Sequence, residues 1–257
     1  MRPTDRGGPA KVALVTGGAR GIGRKCALDL AENGFSIALV DVLVPEMGQV
    51  RQEIEVQGGR VICFEGDVAD HRRAKEIVGE VQTKLGTVDF LLNNAGRSMA
   101  KGILEITEAE FDRTIAINLK SCFNYIQPVA PLMRATGEGR IVCISSLNAY
   151  SGGVTAAVSR FSYAAAKAGI LGMVRALAKE LGPQIHINAI CPGLIATEVA
   201  KNDVINARGA EIAENGIALK RIGSTDDVAQ LVTFLATSEP CFITGQAFVV
   251  DGFQFQM

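Results

Sequence analysis

Apolar and polar positions along the chain alternate between two rhythms. Short runs that are apolar at nearly every position recur at 11–16 (KVALVT), 35–41 (FSIALVD), 60–64, 88–92, 140–145, 185–191 and 247–250. A strand with one wet face alternates apolar and polar residues, so runs without alternation predict strands covered on both faces. Between them lie stretches with helical spacing at 22–33, 45–57, 70–85, 108–134, 161–181 and 226–236. Strands alternating with helices predict βαβ units with right-handed crossovers. The expected fold is α/β: a single doubly wound domain, its parallel sheet of about seven strands carrying helices on both faces. It spans 11–257, after a flexible tail at 1–10. The polar, helix-prone segment 197–220 falls outside the strand rhythm. It predicts an insertion over the carboxyl edge of the sheet, where such folds bind ligands.

Composition narrows the partners. Lys and Arg number 26 against 27 Asp and Glu, for a net charge of −1. No basic excess exists to neutralise nucleic-acid phosphates or an anionic membrane surface. No apolar run approaches the ~18 residues of a membrane span, and 1–10 (MRPTDRGGPA) lacks the apolar centre of a signal peptide. A cytoplasmic protein is expected. Six cysteines stand at 26, 63, 122, 143, 191 and 241, with no C-x-x-C pair, and the two histidines are His71 and His186. This scatter predicts reduced thiols packed in the core and no metal site.

The richest local signal follows the first run: Thr16-Gly17-Gly18-Ala19-Arg20-Gly21-Ile22-Gly23. Glycines at 17, 21 and 23 leave no Cβ where a chain must turn sharply against a ligand. The helix that follows offers free N–H groups to a pyrophosphate. The spacing is G-x-x-x-G-x-G rather than G-x-G-x-x-G. Asp41 ends the second strand, where a carboxylate accepts hydrogen bonds from the adenosine ribose. Asp67 and Val68, at the end of the third, are candidates for reading the adenine edge.

A second constellation carries acid–base chemistry. Tyr163 and Lys167 are four residues apart on a predicted helix and share a face. An ammonium beside a phenol favours the phenolate, which makes a general acid/base usable near neutral pH. Ser146, just past a strand end, is placed to donate to a substrate oxygen. Asn118 lies inside the long helix at 108–134, where a buried amide needs a polar reason. Asn93-Asn94-Ala95-Gly96 closes the fourth strand.

Taken together, TGGARGIG at 16–23, DV at 67–68, NNAG at 93–96, Asn118, ISS at 144–146, YAAAK at 163–167 and PGLIAT at 192–197 resemble the classical short-chain dehydrogenase/reductase family in kind and order. The resemblance runs from about residue 11 to the end of the chain and implies a Rossmann fold. It implies a catalytic tetrad of Asn118, Ser146, Tyr163 and Lys167. Tyr163 would transfer the proton and Ser146 hold the substrate oxygen. Lys167 would bind the nicotinamide ribose and tune Tyr163, and Asn118 would support a water relay. The cofactor contacts implied are Gly17, Arg20, Gly21, Ile22, Gly23, Asp41, Asp67, Val68, Asn94, Ala95, Gly96, Tyr163 and Lys167, with Pro192, Gly193 and Thr197 bordering the nicotinamide.

One departure stands out. The family usually places its Ser about thirteen residues before the Tyr, whereas Ser146 and Tyr163 are 17 apart. Ser145 and Ser151 are therefore alternatives to Ser146, which is preferred because a strand end fixes its place. The expected activity is interconversion of a secondary alcohol and a ketone, with a small-molecule substrate. NAD is expected over NADP because Asp41 would repel a 2′-phosphate, although Arg20 would attract one. Competing readings are an NADPH-dependent 3-oxoacyl carrier-protein reductase and a non-catalytic nucleotide-binding regulator. The helix ends at 134–140 (RATGEGR) and 179–186 (KELGPQIH) are mixed in charge, which counts against an acidic carrier protein. The resemblance also implies a homotetramer, with the apolar C-terminal stretch packed in it.

Overall fold

A computed structural model describes residues 10–153, 159–198 and 203–254. The tail at 1–10 thus lies outside the described residues except for Ala10. Seven strands form one parallel sheet: β1 (Val12–Thr16), β2 (Ser36–Asp41), β3 (Val61–Glu65), β4 (Val88–Asn93), β5 (Gly139–Ile144), β6 (Ile185–Pro192) and β7 (Ala247–Val250). Their order is β3-β2-β1-β4-β5-β6-β7. The chain therefore winds outward from β1 to one edge, returns to pair β4 beside β1, and winds outward again. All carboxyl ends share one edge, and the reversal between β1 and β4 opens a crevice there.

Helices α1 (Gly21–Glu32), α2 (Val44–Val56) and α3 (His71–Lys84) serve the first half. In the second half come α4 (Glu108–Ile115), α5 (Ser121–Thr136), α6 (Asn148–Ser151), α7 (Phe161–Leu181), α8 (Asp203–Gly216) and α9 (Thr225–Thr237). One core layer packs α3, α5 and α7 on one face of the sheet, through Tyr125, Met133, Ile170 and Val174. The other packs α1, α2 and α9 on the opposite face, through Leu30, Ile54 and Val232. Strand β1 is buried at every position, as its lack of alternation predicts. Among the described residues no helix is long and apolar enough to cross a membrane.

Three expectations need correcting. The single helix at 108–134 is two helices joined by a π-helical turn, Ala116–Lys120. The stretch after Ser146, which lies outside the predicted helices, begins with the short helix α6. Of the six free cysteines, Cys63 and Cys241 are only partly buried: Cys63 packs against a core layer from the edge strand β3, and Cys241 lies in the loop between α9 and β7.

Candidate active site

The crevice is built on the turn between β1 and α1. Gly17 and Gly21 have φ of 66° and 57°, the left-handed region that glycine enters without a Cβ clash. A Cβ on Gly23 would stand 2.1 Å from the Gly17 carbonyl oxygen and 2.4 Å from Asn94 Nδ2. Its hydrogen side chain is what lets the turn close over the helix start. Helix α1 has no acidic residue in its first turn, so its partial positive charge faces the crevice uncompensated. Arg20, at the N-cap, makes no capping bond with its side chain and is exposed.

Sequence reasoning gave Thr16 no role, yet it ties the turn to β4. Its hydroxyl donates to the Leu92 carbonyl at 3.3 Å and accepts from the Asn94 and Ala95 amides at 3.0 and 3.2 Å. The Asn94 side chain donates back to the Thr16 and Gly17 carbonyls at 3.1 and 2.9 Å. Asn94 therefore shapes the cradle from behind. The available signal was a hydroxyl at the last position of a buried strand.

Asp41 ends β2 and points back across the turn. One carboxylate oxygen accepts from the Ala19 amide at 3.1 Å, the other from the Val42 and Leu43 amides at 2.8 and 3.1 Å. Asp67 lies two residues past β3. It accepts from the Ala69 amide at 3.0 Å and from Arg113 at 2.6 Å. Burial raises the Asp67 carboxyl, but these two donors outweigh it and hold it below the usual carboxylate range. Asn124 fixes the adjoining Val68 carbonyl at 2.8 Å.

The acid–base residues meet on the β4–β5–α7 side. Lys167 is 3% exposed. Its ammonium donates to the Ile144 carbonyl at 2.8 Å and lies 5.6 Å from the centre of the Tyr163 ring. Asn118 is 1% exposed and fully engaged. It donates to the Arg97 and Thr114 carbonyls at 2.9 and 3.0 Å and accepts from the Arg97 amide at 3.0 Å. The π turn that carries it opens the helix ladder at that point, a common device at functional sites. An ideal Cβ on Gly96 would come within 3.0 Å of Asn118 Oδ1 and 3.4 Å of Lys167 Nζ, which brings NNAG, Asn118 and Lys167 to one place.

The three serines separate by their bonds. Ser145 is buried and donates to the Lys167 carbonyl at 2.8 Å. Ser151 caps the end of α6, bonding to the Leu147 carbonyl and the Gly153 amide. Ser146 is half-buried and accepts from the Asn148 amide at 3.2 Å, which leaves its proton to donate. Beside it, the Leu147 amide donates to the Pro192 carbonyl at 2.9 Å, joining this loop to the end of β6. Gly193 follows, with its amide on the Val250 carbonyl at 2.9 Å, and Thr197 is half-buried at the start of the 197–220 segment. The histidines lie elsewhere: His71 stacks on Phe123 with ring centres 5.3 Å apart, and His186 is on β6. Among the described residues no group of three or more His, Cys, Asp or Glu could hold a metal.

A doubly wound sheet with a glycine cradle at its switch point and a Tyr–Lys pair beside it defines a nicotinamide-dependent oxidoreductase. Comparison with known proteins is specific. A family model described as "Enoyl-(Acyl carrier protein) reductase" matches residues 17–252. A 3-oxoacyl-[acyl-carrier-protein] reductase FabG from Thermotoga maritima is 37% identical over 243 residues, 94% of this chain and 96% of its own. Among solved structures, a 3-oxoacyl-[acyl-carrier protein] reductase with bound NAD from Brucella melitensis superposes with a TM-score of 0.86 at 30% identity, covering 100% of this chain and 94% of that one. A glucose/ribitol-type short-chain dehydrogenase from the same organism gives 0.86 at 28% identity, covering 95% and 96%. The chain belongs to the short-chain dehydrogenase/reductase family. It is an NAD(P)-dependent enzyme acting on CH–OH groups of a small-molecule substrate.

Proposed function

We propose that the enzyme interconverts a secondary alcohol and a ketone, with NAD as its cofactor and Tyr163 as general acid/base. The observation that carries this reading is the buried Lys167 ammonium held by the Ile144 carbonyl next to the Tyr163 ring. The left-handed glycines at 17 and 21 and the uncompensated start of α1 suit a pyrophosphate, and Asp41 suits ribose hydroxyls. When bound, the nicotinamide supplies hydride chemistry. In this reading Tyr163 gives a proton to, or takes it from, the substrate oxygen, which Ser146 holds by donating to it. Lys167 sets its ammonium beside the Tyr163 ring and reaches the nicotinamide ribose, and Asn118 orders water behind it. Arg20, Gly21, Ile22, Gly23, Ala95 and Gly96 line the cradle, Asp67 and Val68 the adenine end, and Pro192, Gly193 and Thr197 the nicotinamide end. The described part of the segment 197–220, with α8 inside it, covers the substrate, and 199–202 lie outside the described residues.

The relatives' name favours a second reading, reduction of a 3-oxoacyl chain on a carrier protein, for which NADPH is the cofactor we expect. Against it, Arg140 is engaged, donating to the Leu235 and Ser238 carbonyls at 3.0 and 2.7 Å, and Glu138 faces Lys11 at 3.5 Å. Arg140 is thus spent within the fold, which leaves Arg134 and Lys179 as the cations those helix ends offer an acidic partner. A homotetramer fits the stacked Phe111 and Phe161 on neighbouring helices, the exposed Phe123, and the partly exposed edge strand β7. A mass near 27.2 kDa by light scattering would contradict the tetramer. Purified protein assayed against alcohols, polyols and hydroxy acids with NAD and NADP, and against a 3-oxoacyl thioester with NADH and NADPH, decides the rest. Turnover of secondary alcohols with NAD supports the first reading, preference for the thioester with NADPH the second, and no turnover a non-catalytic role.

A further inference from the structure

The C-terminal segment folds back on the end of β6 in a way that the reaction chemistry does not require. Past β7, Asp251 closes a tight turn on itself. Its two carboxylate oxygens accept from the Phe253 and Gln254 amides at 2.8 and 3.1 Å. Gly252 and Phe253 have φ of 64° and 57°. Phe253 is one of two described non-glycine residues with positive φ, a conformation that a side chain rarely adopts and that surrounding contacts must enforce. Two successive left-handed residues reverse the chain and bring Gln254 back over the turn that follows Pro192. There Gln254 Oε1 accepts from the Leu194 amide at 3.1 Å, across 60 residues of sequence. The fit is tight. A Cβ on Gly193 would stand 2.5 Å from Asp251 Cβ and 2.9 Å from Gln254 Oε1.

The same segment grips the cover. Gln254 bridges Ile217 antiparallel, and the Ala218 and Leu219 amides donate to the Phe253 and Gly252 carbonyls at 3.2 Å each. The Leu194 carbonyl in turn accepts from the Gly223 amide at 3.0 Å. Leu194 is thus held at its N–H by Gln254 and at its carbonyl by the residues leading into α9.

We propose that Gln254 is a positioning residue: its side-chain oxygen fixes the Gly193–Leu194 backbone and, with the 217–219 run, sets the wall of the nicotinamide end of the site. The proposal rests on the placement of Pro192, Gly193 and Thr197 at the nicotinamide. Without the amide oxygen, the Leu194 N–H loses its partner and the turn is free to shift, while the adenosine end, built on β1–β3, is untouched.

The test compares NADH and NADPH with ADP-ribose, which lacks the nicotinamide, on the full chain. Gln254→Ala should weaken the dinucleotide that the wild type binds by ~3–10-fold, the worth of one hydrogen bond, and leave ADP-ribose within about twofold. Gln254→Glu keeps an accepting oxygen and should stay within about threefold of wild type for both. Equal weakening of ADP-ribose and dinucleotide by Gln254→Ala, or no weakening of either, overturns the proposal. Thr197→Ala separates the two levels. If it leaves the dinucleotide-to-ADP-ribose ratio unchanged, the placement of this turn at the nicotinamide is wrong. If it shifts the ratio and Gln254→Ala does not, only the positioning role falls.

Discussion

Asn118 Oδ1 and Lys167 Nζ converge on the same side of Gly96: a Cβ there would stand 3.0 Å from the first and 3.4 Å from the second. The backbone at Gly96 is exposed, so a methyl group would disturb little of the core. Gly96→Ala should lower kcat by about tenfold or more, roughly 1.4 kcal/mol in barrier height, while thermal unfolding shifts by no more than a few degrees. Equal losses of activity and of folded protein would mean that Gly96 serves the fold alone.

Tyr163→Phe removes the phenolic proton and almost no volume. Turnover should fall by about 10²–10⁴-fold, with cofactor affinity within about twofold by fluorescence titration. Activity within threefold of wild type removes Tyr163 from its assigned role. Lys167→Ala should differ in kind. It strips the buried Ile144 carbonyl of its donor, a loss of about 1–3 kcal/mol in stability, and should weaken cofactor binding as well as rate.

In the proposed reading Asp41 governs the choice of cofactor. A 2′-phosphate at its carboxylate is a like-charge contact of about 4 kcal/mol at ~4 Å and an effective dielectric of ~20, whereas the exposed Arg20 can swing into water. Wild-type kcat/KM should be at least tenfold higher with NAD. Asp41→Ala should narrow that gap mainly by improving NADP, with some loss for NAD because the Ala19, Val42 and Leu43 amides lose their acceptor. A wild-type preference for NADP would show that Arg20 prevails.

Much of this was legible in the residues themselves. The predicted helix at 161–181 and strand at 247–250 coincide with α7 and β7, since long periodic runs and short apolar ones are the clearest signals. The π turn was not legible. It carries Asn118, whose side chain bonds to the Arg97 backbone 21 residues away, and no local period encodes that contact. Helix α6 has four residues, too few to show a repeat. Thr16 reads as an ordinary strand residue until β4 lies beside it.

Acid should loosen α9, which packs against α1. Asp227 closes the capping box at its N-terminus with Ser224 and is held by Arg221 at 2.7 Å on both oxygens. The Arg221 guanidinium, and then the Ser224 amide, keep its carboxyl far below the usual carboxylate range. A depressed folded-state value means that this stabilisation is complete above the unfolded pKa of ~3.9 and is lost as pH falls below it toward the folded value. Denaturant unfolding at pH 7 and near pH 3 should show Asp227→Asn less stable than wild type at pH 7 and the difference shrinking in acid. A constant difference would place the effect outside ionisation.

The strand order also dictates when during folding the cradle comes into being. Thr16 reaches Leu92, Asn94 and Ala95 across 76–79 residues, and β2 and β3 lie along the chain between β1 and β4. Closing so large a loop is slow, because its entropy is spent before the contacts form. The cradle is therefore expected to form late in folding, after β4 has docked. Cofactor added to refolding protein should leave the early phases unchanged and stabilise only the species formed after β4 docks, a sequence that stopped-flow refolding with and without NADH can resolve.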